Sequence, residues 1–163
     1  MLRDAGGLVG VTEKMRSSHG AGPLNLVKLC VGAESPSDLE AWLVAREAAG
    51  GPGWRPRHTT RMQPKLASEL LEGGSLYWVF RGAIRARQRL KAIEPVEGED
   101  GVQRCDLVLD RKLTLTSAQP RRPFQGWRYL TGADAPADLR EGATQGEGVS
   151  PELAEALDRF GVV

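Results

Sequence analysis

The chain has 163 residues, of which 40% are hydrophobic and 26% are charged, and its formal net charge is +1. This length suits one domain with a real core, and the composition is that of an ordinary globular protein. No apolar run approaches the roughly 18 residues of a membrane span, and the N-terminus lacks the apolar core of a signal peptide. The balanced total charge says nothing about partners.

Charge is nevertheless segregated along the chain. Residues 55–91 carry nine Arg or Lys against two acids, and residues 111–128 carry five cations and no acid. Residues 92–110 and 134–160 each carry a net charge of −5. A basic middle flanked by acidic segments in this way can form an anion-binding face.

The first 23 residues contain five glycines and no sustained period. We therefore expect a disordered extension over 1–23, followed by a single domain over 24–163. Residues 24–31 form an apolar run that is typical of a buried first strand. Cys30 and Cys105 both lie in apolar strand-like runs, which predicts two free thiols and a cytoplasmic location.

A helix is predicted to begin at Ser35, which can cap it, and to end at Gly50. Pro36 fits the first turn of such a helix. Trp42 follows at helical spacing, so we expect it in the core. Trp54 lies in the next loop, where it could either stack on a base or cover the core.

The candidates for catalysis come next in the chain. Residues 57–62 predict a short strand that contains His58, and residues 65–72 predict a helix that contains Lys65 and Glu69. No second histidine or paired carboxylate motif accompanies His58. The sequence alone does not assemble these side chains into a catalytic group.

The centre of the chain is the segment 73–91, which holds the densest cationic run. A turn is predicted at Gly82 between two strands. A helix over 83–93 also fits an apolar stripe, but Gly82 is a poor helix opener, so we prefer a strand. Alternation along this strand places Ile84, Ala86, Gln88 and Leu90 on one face and Arg85, Arg87, Arg89 and Lys91 on the other. Four cations on one face predict exposure, with the acids of 97–100 as possible partners.

Two further strands are predicted over 102–109 and 113–116. Short turns between the strands suggest a meander that closes into a small barrel. Residues 134–140 predict a short helix, and residues 151–160 predict a last helix that packs onto the domain.

Residues 119–130 combine prolines, arginines and aromatic residues. Arginine beside aromatic rings suits phosphate binding together with base stacking. The alternative interpretation is that the aromatic residues plug one end of the barrel, and the two interpretations are compatible. The side chains concerned are Arg121, Arg122, Phe124, Trp127 and Arg128.

Several well-known chemical motifs are missing from the sequence. It contains no phosphate-binding glycine loop, no dinucleotide fingerprint, no zinc-ligand spacing and no Gly-x-Ser-x-Gly elbow. The sequence therefore predicts no metal site and no cofactor, and it leaves open whether the chain is an enzyme.

A resemblance to a known family is carried by the stretches 26–32, 61–65, 73–79, 86–88 and 121–130. These resemble a bacterial family of uncharacterised proteins, domain of unknown function 1489. The resemblance runs from about Leu24 to the C-terminus. Members of the family begin near Leu24, so residues 1–23 depart from its pattern. The family has no established activity that can be carried over.

The order of elements is also similar to that of the PUA and ASCH-like domains, small pseudo-barrels that bind RNA or modified bases. This similarity implies an α+β fold, with a small β pseudo-barrel and flanking helices. It also implies that the chain binds RNA or a modified nucleotide through the basic strand and the Arg/aromatic loop. The expected binding residues are Arg85, Arg87, Gln88, Arg121, Arg122, Phe124, Trp127 and Arg128.

Two alternatives remain open. The chain could be a small hydrolase that acts on a modified nucleoside, as some ASCH-like domains do, using Lys65 and Glu69. It could also be an interaction module for an acidic partner. A cleft with Lys65 and Glu69 within hydrogen-bond reach favours the enzyme, whereas a basic face flanked by aromatic rings favours binding.

Overall fold

A computed structural model describes residues 22–139 of the chain. Nearly all of the predicted extension 1–23, and the whole predicted helix 151–160, lie outside the described residues. The elements, in chain order, are β1 (Asn25–Leu29), α1 (Pro36–Gly50), β2 (Arg57–Thr60), α2 (Ala67–Leu70), β3 (Ser75–Phe80), β4 (Ala83–Glu97), β5 (Gln103–Leu109), β6 (Thr114–Pro120) and β7 (Trp127–Leu130).

The seven strands form one sheet, so the predicted α+β class is confirmed. The strand order is β2-β5-β4-β3-β1-β7, and β6 also pairs with β4. β1 is parallel to β3, while the other pairs are antiparallel. Within the described residues β2 and β7 pair with no further strand, so the sheet is open in its backbone hydrogen bonding.

The segment after Gly82 is a strand, as predicted, and β4 is the longest strand described. Its first half pairs with β3 on one edge and β6 on the other, and its second half pairs with β5. Asp110 N donates to Arg89 O, while Leu90 N donates to Gly74 O. Because these two groups point to opposite edges, β5 and β6 follow one another along the same edge of β4.

The predicted alternation along β4 is wrong at Arg85, where the strand carries a β-bulge. Trp78 lies opposite Ala86 and Val79 lies opposite Ile84, so Arg85 is the extra residue. A bulge shifts the following side chains to the other face. Ile84 therefore shares a face with Arg87, and Arg85 is only 7% exposed rather than part of an open cationic face.

Both faces of the central strands are buried. The inner face carries the larger apolar cluster, which includes Leu26, Trp78, Leu107 and the helix residues Leu39, Leu43 and Leu70. The outer face carries a smaller cluster of Val27, Tyr77, Val79, Ile84 and Leu130. The strands β1 and β3 are consequently near-continuous apolar runs.

The sheet curls strongly around its inner face. The rings of His58 and Trp78 lie 5.3 Å apart, edge to face. β5 and β4 separate their strands, so a flat sheet would hold them about 14 Å apart. At the two edges, Trp127 Nε1 donates to Met62 O at 2.7 Å, and Leu66 N donates to the Tyr129 hydroxyl at 3.1 Å. Side-chain hydrogen bonds thus join the open edges.

The first helix begins as predicted, with the Ser35 hydroxyl accepting from Asp38 N. Trp42 is nevertheless 45% exposed, so its predicted place in the core is wrong. Leu39 and Leu43 are the buried side chains, and position 42 lies about 100° from position 43 around the helix. Neither described helix is long and apolar enough to cross a membrane.

Three other sequence expectations are resolved here. The second helix is shorter than predicted and covers only Ala67–Leu70. Residues 134–139 form turns and one bridge, Thr116 to Asp138, instead of the predicted short helix. Cys30 and Cys105 are free thiols, as predicted.

Candidate anion site and adjoining cleft

Three connecting segments meet at one end of the sheet. β1, β3 and β6 end there, while β4 and β7 begin there. The segments 30–35, 81–82 and 121–126 are therefore neighbours, and the Arg121 amide donates to Gly82 O at 2.8 Å. This end of the molecule brings together groups that are about 90 residues apart in sequence.

The turn between β3 and β4 places an arginine in an unfavourable backbone conformation. Arg81 has φ of 50° and Gly82 has φ of 85°. Two residues with positive φ form the hairpin turn that suits the twist of the strands, and Asn-Gly is the preferred pair. Arg81 is the one described non-glycine residue with positive φ. The turn therefore keeps an exposed cation where a smaller residue is favoured.

The predicted Arg/aromatic loop is organised around Phe124. The guanidinium carbons of Arg121 and Arg128 lie 5.3 Å and 5.1 Å from the centre of its ring. Arg128 Nη1 also donates to Gln125 O at 2.7 Å. Arg122 is exposed. The Phe124 ring thus contacts two guanidinium groups, and the loop carbonyl fixes one of them.

Arg81, Arg121, Arg122 and Arg128, called here the arginine end, have no carboxylate partner among the described residues. Four arginines elsewhere are paired with carboxylates, whereas Arg46, Arg55, Arg61 and Arg89 form no such pair within residues 22–139 and are scattered over other segments. The pairs are Arg57 with Glu94 and Asp106, Arg87 with Asp138, Arg104 with Asp100, and Arg111 with Glu40 and Glu47. A group of unpaired guanidinium groups is a site for an anion with several negative oxygens.

Arg87 lies away from the arginine end and is engaged with protein groups. It donates to both carboxylate oxygens of Asp138 at 2.8 and 2.6 Å, and to the Ser75 hydroxyl at 2.8 Å. The hydrogen bonds to Asp138 raise the pKa of Arg87. Along β4 it is about 13 Å from Ala83, which borders the arginine end. With Arg89, it lines a separate cavity of about 360 Å³ on the outer face.

Both ends of the Gln88 amide are hydrogen-bonded within the protein. The side chain is 1% exposed, with Oε1 accepting from Trp78 Nε1 and Nε2 donating to Asp110 O, both at 2.9 Å. Trp127 is partly buried in the inner cluster.

The structure brings together four of the eight predicted binding residues, Arg121, Arg122, Phe124 and Arg128. It separates these four from Arg87 and Gln88. For Arg85, burial and the charge of Arg81 lower the pKa.

A cleft of about 250 Å³, called here the His58 cleft, opens on the inner face of the sheet. It lies between residues 30–33, the start of α1 and the start of β2. Its lining includes Cys30, Asp38, Trp42, His58, Trp78 and Gln88. Only His58 and Gln88 were candidates from the sequence. The other four come from distant segments, and no local motif marks them.

Burial keeps two ionisable groups of the cleft, His58 and Cys30, uncharged. Burial, and to a lesser degree the charge of Lys28, lowers the pKa of His58 to about 4, although Asp106 opposes this. Burial raises the pKa of the Cys30 thiol to about 11. At neutral pH the cleft therefore presents a neutral imidazole and a protonated thiol. Arg57 at its rim is paired with Glu94 at 2.8 Å.

Lys65 and Glu69 do not form a catalytic group. Lys65 is exposed, whereas Glu69 is 8% exposed. No described hydrogen bond or ion pair joins them, and neither lines the His58 cleft. Trp54 packs 6.4 Å from Trp42, which fits the interpretation that it covers the core. Within residues 22–139, no group of three or more His, Cys, Asp or Glu could hold a metal ion.

Comparison with known proteins gives one match. No curated protein and no solved structure matches the chain. The family model described as "Protein of unknown function (DUF1489)" matches residues 26–163. This range covers every element described above except the first residue of β1. The chain therefore belongs to the DUF1489 family, as its five sequence stretches predicted.

Proposed function

We propose that the chain binds RNA or a modified nucleotide, with phosphate groups at the arginine end. One observation carries the proposal: four arginines lie at one end of the sheet without a carboxylate partner among the described residues. Like charges held together raise the local potential and favour a polyanion. Phosphodiester oxygens offer the planar, bidentate acceptors that guanidinium groups fit.

The curled sheet supports a PUA/ASCH-like pseudo-barrel as part of this proposal. The His58–Trp78 contact and the Trp127–Met62 hydrogen bond bring the two sides of the inner face together. The order strand, helix, strand, helix and glycine pair before the central hairpin is that of the similar domains. The two free thiols fit the cytoplasmic location expected from the sequence.

The test measures binding of a labelled single-stranded RNA by fluorescence anisotropy over a series of salt concentrations. We expect affinity to fall with salt, with a slope of about −0.7 per phosphate contact. Arg122→Ala should weaken binding to all sequences and flatten the slope by one contact. Arg104→Ala is the matched control, since it removes one surface arginine that is paired with Asp100.

Two results would overturn the proposal. One is wild-type protein that shows no salt-dependent binding to RNA, DNA or nucleotides at micromolar concentration. The other is equal loss of affinity in the Arg122 and Arg104 variants, because binding would then follow net charge rather than the arginine end. Binding to an acidic protein but not to RNA would favour the interaction-module alternative.

A further inference from the structure

The His58 cleft is sized for one ring system. Its volume is about 250 Å³. Pockets for drug-sized ligands hold about 300–1,000 Å³, so this cleft suits a smaller ligand. Apolar side chains form much of its lining, including Leu39, Leu43 and Leu109. These properties favour a flat, compact, largely apolar group.

The electrostatics of the cleft disfavour an anionic ligand. His58 is neutral at physiological pH because its pKa is about 4, and the charge of Arg57 is balanced by Glu94 and Asp106. A buried anion would lose its hydration without gaining a free cation, and the lining also carries Asp38. A neutral imidazole instead offers one hydrogen-bond donor and one acceptor. Such a pair suits the edge of a heteroaromatic ring.

Aromatic rings line the cleft in fixed positions. His58 and Trp78 meet edge to face, and the Trp78 indole N–H is held by Gln88. Trp42 lies at the rim, 45% exposed, between the Trp54 ring at 6.4 Å and the Arg46 guanidinium at 5.1 Å. An exposed ring with fixed neighbours is a ready stacking surface. Both ends of the Gln88 amide are used within the protein, so Gln88 supports the wall instead of reading a base edge.

The cleft borders the end of the sheet that carries Arg81. β1 and β3 are parallel, with Leu29 opposite Val79, so the chain leaves both strands at the same end. Residues 30–33, which line the cleft, thus run beside Arg81. Phe124, with Arg121 and Arg128 over its ring, packs instead on the outer face of the sheet. A ligand that spans this border could place a ring in the cleft and a phosphate beside Arg81.

We propose that the His58 cleft binds the uncharged base of a nucleotide, stacked on Trp42, while Arg81 of the arginine end holds its phosphate. This inference rests on the proposed function and names the part of the nucleotide that the cleft recognises. It predicts that a single extruded nucleotide, rather than a base within a duplex, is the unit of recognition.

The experiment uses free ribonucleosides, which carry a base but no phosphate. Binding is followed by tryptophan fluorescence and by the NMR shift of the Trp42 indole, with ribose 5-phosphate as the ligand that lacks a base. Trp42→Ala should weaken nucleoside binding about 5- to 150-fold. Val44→Ala, which removes an exposed side chain of the same helix that does not line the cleft, should leave it unchanged. Melting curves check that both variants fold.

The outcomes separate the two proposals. RNA binding without any nucleoside effect at millimolar concentration would overturn the inference about the cleft and leave the arginine end standing. Nucleoside binding without salt-dependent binding of RNA, DNA or any nucleotide would remove the proposed function. Equal effects of the Trp42 and Val44 substitutions, or competition by ribose 5-phosphate, would show that the cleft does not hold the base.

Discussion

Arginines serve two different purposes in two regions of this molecule. On β2, β4, β5 and the loop after β5, Arg57, Arg87, Arg104 and Arg111 are each paired with at least one carboxylate. At the arginine end, four others have protein carbonyl groups, a phenyl ring or solvent as neighbours. The paired group neutralises itself and joins segments of the fold. The unpaired group leaves its charge available to an anion, at a cost in repulsion between like charges.

The largest effect should come from removing the unpaired group as a whole. Replacing Arg81, Arg121, Arg122 and Arg128 by Ala should lower RNA affinity about 100-fold or more, because hydrogen bonds to charged groups contribute about 1.5–3 kcal/mol each. The matched control replaces Arg57, Arg87, Arg104 and Arg111, which removes the same total charge. If that control loses as much affinity in the anisotropy assay, the distinction between the two groups is false.

Lys28 is another cation without a carboxylate partner among the described residues, and its charge helps to keep His58 neutral. Histidine has a pKa of about 6.5 in the unfolded chain and of about 4 in the folded chain. Above pH 6.5 His58 is neutral in both the folded and the unfolded chain, and the free energy of unfolding is at its full value. As pH falls from 6.5 toward 4, the unfolded chain binds a proton at His58 that the folded chain does not, so the free energy of unfolding decreases. Between pH 7.5 and 5 the loss should be about 2 kcal/mol.

His58→Phe keeps an aromatic ring against Trp78 and removes the titration. Denaturant melts of the wild type and this variant at several pH values give the difference between their pH dependences, which cancels the contribution of the carboxylates. Parallel curves for the two proteins would show that His58 is not the group responsible. The charged groups near it are Lys28 from β1 and Asp106 from β5.

A smaller effect should follow when one paired arginine is removed. Arg87→Ala deletes three hydrogen bonds to Asp138 and Ser75. The pair is partly exposed, so the free energy of unfolding should fall by about 1 kcal/mol. RNA affinity should not change. If the Arg87 variant bound RNA less tightly while its free energy of unfolding stayed unchanged, Arg87 would be an RNA-binding residue, as the sequence predicted.

The smallest effect should be a gain in stability when Arg81, one of the unpaired arginines, is replaced. Arg81→Asn creates the preferred Asn-Gly hairpin turn and relieves the positive φ of an arginine. Thermal unfolding should show a stabilisation of about 0.5–1 kcal/mol. RNA affinity should fall at the same time. A variant that is more stable and binds equally well would show that Arg81 has no part in binding.

Much of the fold could be predicted from local patterns. Ser35, Pro36 and Gly50 marked the first helix because caps and prolines act within one turn. The strand after Gly82 followed from alternation. The bulge at Arg85 could not be found in this way, because it exists only in the pairing of β4 with β3 and β6. One extra residue then took Arg85 out of the expected cationic face.

The site was predicted only where it is continuous in sequence. Arg121, Arg122, Phe124 and Arg128 lie within eight residues, so composition alone pointed to them. The His58 cleft joins residues from the loop after β1 with side chains from α1, β2, β3, β4 and β5. Its neutral histidine depends on burial that only the tertiary structure supplies. Whether an arginine is paired also depends on a distant carboxylate, as with Arg87 and Asp138.

The order of strands has a consequence for how the chain folds. β3 and β4 are joined by a two-residue turn, and β5 and β6 follow along the edge of β4, so these contacts close short loops. β1 instead pairs with β3 and β7, about 50 and 100 residues away, and such contacts are slow to form. We expect the central hairpin to form early and β1 to dock late. The arginine end and the cleft, which both depend on β1, would be completed in that final step.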